Sequence, residues 1–254
     1  MTEPRLFVAS PLAEGAAIRL DESQAHYLAT VLRRNPGQTM RLFNGRDGEW
    51  RGRITTLSRR GGEVLLLARI REQTSEDGPI LLAPVLRRET TEWMVEKATE
   101  LGAAAILLTT SARSAVTRTN PARLAAIATE AAEQCGRLTV PRIDPPQALE
   151  RRLANWPAER KLVVCDETGT SPPLAALLAA AERSPRPPAI LVGPEGGFTP
   201  GELDRLRDLP FSLPASLGPR TLRAETAALA SLALVQALAG DWRSPQAAGL
   251  SVPS

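Results

Sequence analysis

Four short runs in this chain of 254 residues, ILLAPVL (80–86), AAAILLTT (103–110), KLVVC (161–165) and AILV (189–192), are almost wholly apolar. A strand with one wet face alternates apolar and polar residues, whereas a strand without alternation must be covered on both faces. Helix-like segments separate the runs, and crossovers of that length let strands lie parallel with helices packed above and below. The segment that holds them is therefore predicted to be α/β, built on a parallel sheet.

The helices carry their own punctuation. In TTEWMVEKATELG, Met94, Ala98 and Leu101 share a face and Gly102 ends the helix. Asn120 caps and Pro121 opens NPARLAAIATEAAEQ, in which Leu124, Ile127, Ala128 and Ala131 form a stripe. Ser171-Pro172 and Thr199-Pro200 repeat the device, and Glu202 completes a capping box with Thr199. The last helix, TAALASLALVQALAG, is apolar almost all round, with Leu229, Leu232, Leu234, Val235 and Leu238 on more than one face. Such a helix is buried within its own domain or packs its second face on another subunit.

Before residue 75 the pattern is different. Strands are predicted at 5–9, 17–20, 39–43, 49–57 and 63–71, with turns at Asn44-Gly45 and Gly61-Gly62. One helix, SQAHYLATVLRR, interrupts them, with Ser23 as its N-cap and Leu28, Val31 and Leu32 on one face. The polar stretch EQTSEDGP (72–79) reads as a linker. Three parts follow: a small β-rich domain at 1–74, an α/β domain at 75–242 and a flexible tail at 243–254.

Composition narrows the function. With 43% hydrophobic residues the chain can bury one large core or two modest ones. No apolar run reaches the roughly 18 residues of a membrane span, and MTEPRLFVAS is no signal peptide, so a soluble cytoplasmic protein is expected. Cys135 and Cys165 lie far apart, and His26 is the single histidine, which leaves no zinc-ligand spacing and implies no metal. His26 is read as a structural residue of its helix, and Trp93 and Trp156 as packing residues. Residues 1–74 hold twelve arginines against eight acids, whereas the rest holds nineteen bases against twenty acids. A basic N-terminal excess suits nucleic acid, although an arginine-rich, alanine-rich composition also follows from codon bias.

In parallel α/β sheets, ligands bind beyond the carboxyl ends of the strands. Three loops there stand out: TTSARSAV (109–116), GPEGGF (193–198) and LGPRTLRAETA (217–227). The glycine-rich one lacks the lysine that a nucleotide-triphosphate loop requires. Taken singly, each also reads as a strand-to-helix turn with solvated charges. A phosphate-binding enzyme and a non-catalytic RNA-binding protein stay open on the residues alone.

Residues 191–238, together with VEKATELG (95–102), EQCGR (133–137) and HYLATVLRRNPGQTMRLFNG (26–45), resemble the bacterial 16S ribosomal RNA uracil-N3 methyltransferases of the SPOUT superfamily. The resemblance covers nearly the whole chain in the family's order. It departs at TTSARSAV, where the family more usually has an acid before the arginine and no alanine after the serine.

The resemblance implies an α/β trefoil-knotted methyltransferase domain preceded by a small β-barrel-like PUA domain that binds RNA. It implies S-adenosylmethionine as cofactor, 16S ribosomal RNA as partner, either naked or within the assembled small subunit, and a homodimer joined by the last helix. Gly193, Glu195 and Gly197 then correspond to one cofactor loop, and Leu217, Gly218 and Leu222 to the other. Arg223, Glu225 and Thr226 match the signature at the start of the last helix, with Arg223 and Thr226 also counted at the cofactor. Methylation of N3 needs its proton removed or the imide anion stabilised. Arg223 would donate to a uracil carbonyl oxygen, and Glu225 would accept the proton or merely complement the helix dipole. Arg33 and Arg34 would contact RNA phosphates or simply favour the end of their own helix. Methylation of another RNA nucleotide on the same fold is the alternative.

Overall fold

A computed structural model of the chain describes residues 3–74, 77–181, 184 and 186–243. The backbone divides into two compact units, Met1–Ser75 with Ala132–Val140 and Glu76–Ala131 with Pro141–Ser254. From residue 244 the expected tail lies outside the described residues.

The first unit contains β1 (Arg5–Phe7), β2 (Ala17–Leu20), α1 (Glu22–His26), β3 (Thr39–Phe43), β4 (Glu49–Leu57) and β5 (Gly62–Arg71). Its sheet runs β1-β3-β4-β5-β2, with β1 parallel to β3 and every other pair antiparallel. Alternation does the sorting: in β4, Trp50, Gly52 and Ile54 are buried while Arg51 and Arg53 face water. Leu6, Ile18, Leu28, Met40, Leu42 and Val64 complete one core, each such side chain contributing about 1.5–3 kcal/mol by burial. The expected Asn44 turn forms because Asn44 Oδ1 accepts from the amides of Arg46 (3.0 Å) and Asp47 (2.9 Å).

Several local expectations fail for identifiable reasons. The helix is capped by Asp21, whose carboxylate accepts from Gln24 N at 2.8 Å, not by Ser23. Residues Tyr27–Val31 then wind as a π-turn, with the Leu32 amide reaching Tyr27 O. The wider turn breaks the i, i+3, i+4 spacing, so Leu28 is buried, Leu32 half-buried and Val31 60% exposed. Strand β1 stops at Phe7, two residues earlier than predicted.

The second unit comprises β6 (Ile80–Pro84), α2 (Arg88–Glu100), β7 (Ala105–Thr110), α3 (Pro121–Cys135), β8 (Arg142–Ala148), α4 (Leu149–Leu153), β9 (Leu162–Cys165), α5 (Leu174–Ala180), β10 (Ala189–Leu191), α6 (Pro200–Arg207), β11 (Ser212–Ala215) and α7 (Ala224–Ala239). The last residues of α3 belong to the first unit. All six strands are parallel, in the order β11-β9-β10-β6-β7-β8. The four apolar runs supply the four inner strands, buried along nearly all their length. Two edge strands were not predicted. Each contains proline (Pro145 and Pro146 in β8, Pro214 in β11), and an edge tolerates the missing N–H that a central strand does not.

Asn120 Oδ1 caps α3 through Arg123 N, and Thr199 with Glu202 forms the predicted capping box on α6. Ser171-Pro172 does not open a helix. Its hydroxyl is engaged by Asp166 at 2.6 Å, and α5 starts at Leu174 with no side-chain cap. Trp156 packs on Phe211 as expected, but Trp93 is 45% exposed on α2. On α7, Leu232 and Val235 are buried while Leu229, Leu234 and Leu238 are only half-buried. Among the described residues no helix is long and apolar enough to cross a membrane.

Candidate functional site

At the carboxyl ends of β9, β10 and β11, three loops enclose a cavity of about 620 Å³. Its walls come from 165–169, 192–198 and 217–224. Gly193, Glu195, Gly197, Leu217, Gly218, Leu222 and Arg223 all line it, so the two predicted loops, far apart in sequence, meet at one place. Thr226 is exposed on α7 and does not line the cavity, nor does Glu225. Glu225 lies in the first turn of α7, and its Oε2 is buried without a hydrogen-bond partner. Arg33 and Arg34 belong to the first unit. Arg33 is exposed with a φ of 51°, at the end of the π-turn, and Arg34 is half-buried.

Two glycines set the shape of these loops. Gly197, at φ +66°, donates its N–H to Pro194 O at 2.8 Å and closes the GPEGG turn. Gly218 sits at φ +110°, which L side chains rarely adopt, and a Cβ placed there would meet no atom within 4 Å. The bare backbone thus faces open space.

The third wall escaped the sequence reading. Cys165 ends β9 and the loop 166–169 follows it, and the Asp166 side chain is buried where the strand ends. Burial alone would raise its pKa. Hydrogen bonds from Ser171, Arg207 and Thr168 outweigh burial and hold the carboxyl well below its ordinary value. The signal available was an acid placed directly after the apolar run KLVVC, at the ligand-binding end of a parallel strand. Burial pushes the Cys165 thiol up to about 12 despite a hydrogen bond with Ser231, which disfavours the thiolate.

The divergent 109–116 segment lines a neighbouring cavity of about 560 Å³ through Thr110, Ser111 and Ala112. It also touches the glycine loop, since Arg113 Nη1 donates to Gly196 O at 2.9 Å. His26, in the first unit, is exposed, with Nδ1 3.4 Å from Thr30 Oγ1.

Comparison with known proteins adds an independent line. Residues 76–236 match the model of an RNA methyltransferase domain and residues 20–67 that of an RNA methyltransferase PUA domain. The chain is 30% identical to ribosomal RNA small subunit methyltransferase E of Rickettsia conorii, over 92% of this chain and 95% of that one. It is 32% identical to the Synechocystis protein of the same name, over 92% and 77% of the two chains. Among solved structures, a Legionella pneumophila protein in complex with the cofactor SAM is 28% identical, with a TM-score of 0.84 over 95% of this chain and 100% of that one. The Neisseria gonorrhoeae ribosomal RNA small subunit methyltransferase E, bound to S-adenosyl methionine, is 29% identical, with a TM-score of 0.82 over the same shares.

Proposed function

The chain belongs to the RNA methyltransferase family, and on that premise we propose that it transfers a methyl group from S-adenosylmethionine to N3 of a uridine in 16S ribosomal RNA. The observation that carries the reading is the convergence of 193–197 and 217–223 on one cavity at the strand ends. Its volume of about 620 Å³ falls in the usual range of small-molecule sites. The residues suit the cofactor. The backbone at Gly218 is bare toward open space, so a ligand can come close to the main chain. Val192, Phe198, Leu217 and Leu222 offer apolar surface for an adenine, and the main chain of 193–197 and 217–222 would hold its polar edges.

S-adenosylmethionine, when bound, supplies an electrophilic methyl group on a sulfonium. The loops must fix the donor and leave the base an in-line approach. Arg223 is exposed and lines the cavity. It donates N–H to the uracil carbonyl oxygen that gathers negative charge as N3 gives up its proton to solvent water. Glu225, outside the lining, is assigned the other role open to it, a carboxylate facing a helix N-terminus. N3 lies on the pairing edge, so the uridine must be unpaired or extruded to react.

In this reading residues 1–74 dock RNA, and 75–242 bind the cofactor and transfer the methyl group. Exposed Arg19, Arg33, Arg53, Arg59 and Arg60 support phosphate contacts on the first unit, with Arg34 beside them. The half-buried Leu234 and Leu238, which share one side of α7, support a homodimer through this helix. The working compartment is the cytoplasm.

The test is to incubate the protein and S-adenosylmethionine with 16S RNA, naked and in small subunits, and to map the methyl group by mass. A single uridine methylated at N3 is expected. Methylation of another atom or nucleotide would overturn the N3 assignment, and no methylation of either substrate would overturn the enzymatic reading.

A further inference from the structure

This inference rests on the cofactor site assigned above. Helix α6 is only eight residues long, yet its two ends hold different loops. In its first turn, Glu202 Oε2 accepts from Thr199 N (2.8 Å) and Thr199 Oγ1 (3.0 Å), at the exit of the 193–198 loop. Glu202 Oε1 accepts from Ala112 N at 2.9 Å, which joins that exit to the 109–116 segment. Arg113 returns the link to Gly196 O, and its side chain packs so closely that a Cβ on Gly196 would lie 3.4 Å from Arg113 Cβ. In the last turn, Arg207 Nη2 donates to Asp166 Oδ2 at 2.8 Å and to Thr168 Oγ1 at 3.2 Å. Asp166 also accepts from Thr168 N (2.9 Å) and Ser171 Oγ (2.6 Å), which folds 166–171 around one buried carboxylate.

We propose that α6 is a brace for the cofactor site, with Glu202 and Arg207 as positioning residues that set 193–198 and 166–171 in place before the cofactor arrives. Neither side chain lines the cavity; each acts through a loop that does. The glycines at 169, 193, 196 and 197 leave these loops weakly determined by their own backbone. Without the brace, the entropy of ordering them would be subtracted from cofactor affinity.

Two readouts on the full chain test this. In the ligand-free protein, hydrogen exchange at 166–171 should quicken in Arg207→Ala and stay slower in Arg207→Lys. By calorimetry, Arg207→Ala and Glu202→Gln should each bind S-adenosylmethionine at least about tenfold more weakly. KM for the cofactor should rise with kcat at saturation kept within about threefold, as expected of lost preorganisation. Arg205→Ala, on the same helix as Arg207, removes only an exposed pair with Glu150 of α4 and should match the parent. Folded Arg207→Ala with parental exchange and parental affinity would overturn the brace, as would a loss confined to kcat. If Arg207→Ala does not fold, Glu202→Gln decides: exchange at 193–198 and cofactor affinity both at parental values would overturn the brace. A parent that fails to bind the cofactor would overturn the functional reading, while the ligand-free exchange would still judge the brace.

Discussion

Glu49 in the first unit and Asp166 in the second are both carboxylates without exposed side-chain surface, each paired with arginine. Their partners differ in kind. Glu49 opens β4 and meets Arg5 and Arg71 from two other strands, and Arg5 goes on to donate to Ala132 O at 2.6 Å and to lie 3.7 Å over the Phe43 ring. Asp166 stands where a strand has ended and meets two loop hydroxyl-bearing residues and a helix. The same device fixes strands in one place and a ligand-facing loop in the other. Burial of a charge therefore says nothing about function until its partners are named.

The largest effect should come from breaking the first of these. Glu49→Ala leaves Arg5 buried without its counter-charge and should cost about 3–5 kcal/mol of unfolding free energy, read by denaturant titration. The variant that stays folded should bind S-adenosylmethionine like the parent. A cost below about 1 kcal/mol would break the contrast from the structural side.

Next is Arg223, an arginine that lines the cavity instead of pinning a loop. Arg223→Ala should lose at least roughly 100-fold in turnover with cofactor affinity within about tenfold of the parent. Near-normal turnover in a methyl-transfer assay would remove it from the chemistry.

The smallest effect is a pH dependence. The Asp166 pKa is depressed from 3.8 in the folded state, because its hydrogen bonds outweigh its burial. Its contribution to stability is therefore complete above the unfolded value and is lost as pH falls through the folded one. Asp166→Asn should be less stable than the parent at neutral pH, and the two denaturation midpoints should converge below pH 3.8. Parallel curves throughout that range would mean that Asp166 gains nothing from its partners.

How legible the molecule was depended on whether the cause of a feature was local. Strand bounds at 17–20, 39–43 and 49–57 could be read because alternation and turn residues lie in the same few positions. The Thr199 box could be read because Glu202 is three residues away. The edge strands were missed because proline counts against a strand unless its place in the sheet is known. The 166–171 wall was missed because its order comes from Arg207, 41 residues from Asp166. The resemblance to a known family pointed to the two loops that meet at the cavity, but it carried Glu225 and Thr226 along with residues that line it, and they do not.

Hydrogen exchange of the parent with and without S-adenosylmethionine is the most direct measurement of the central claim, that the cofactor lies among the three strand-end loops. Added cofactor should slow exchange at 165–171, 192–198 and 217–224, and leave the strands β1 to β5 unchanged. Protection confined to the first unit, or to the cavity beside 109–116, would contradict the assignment.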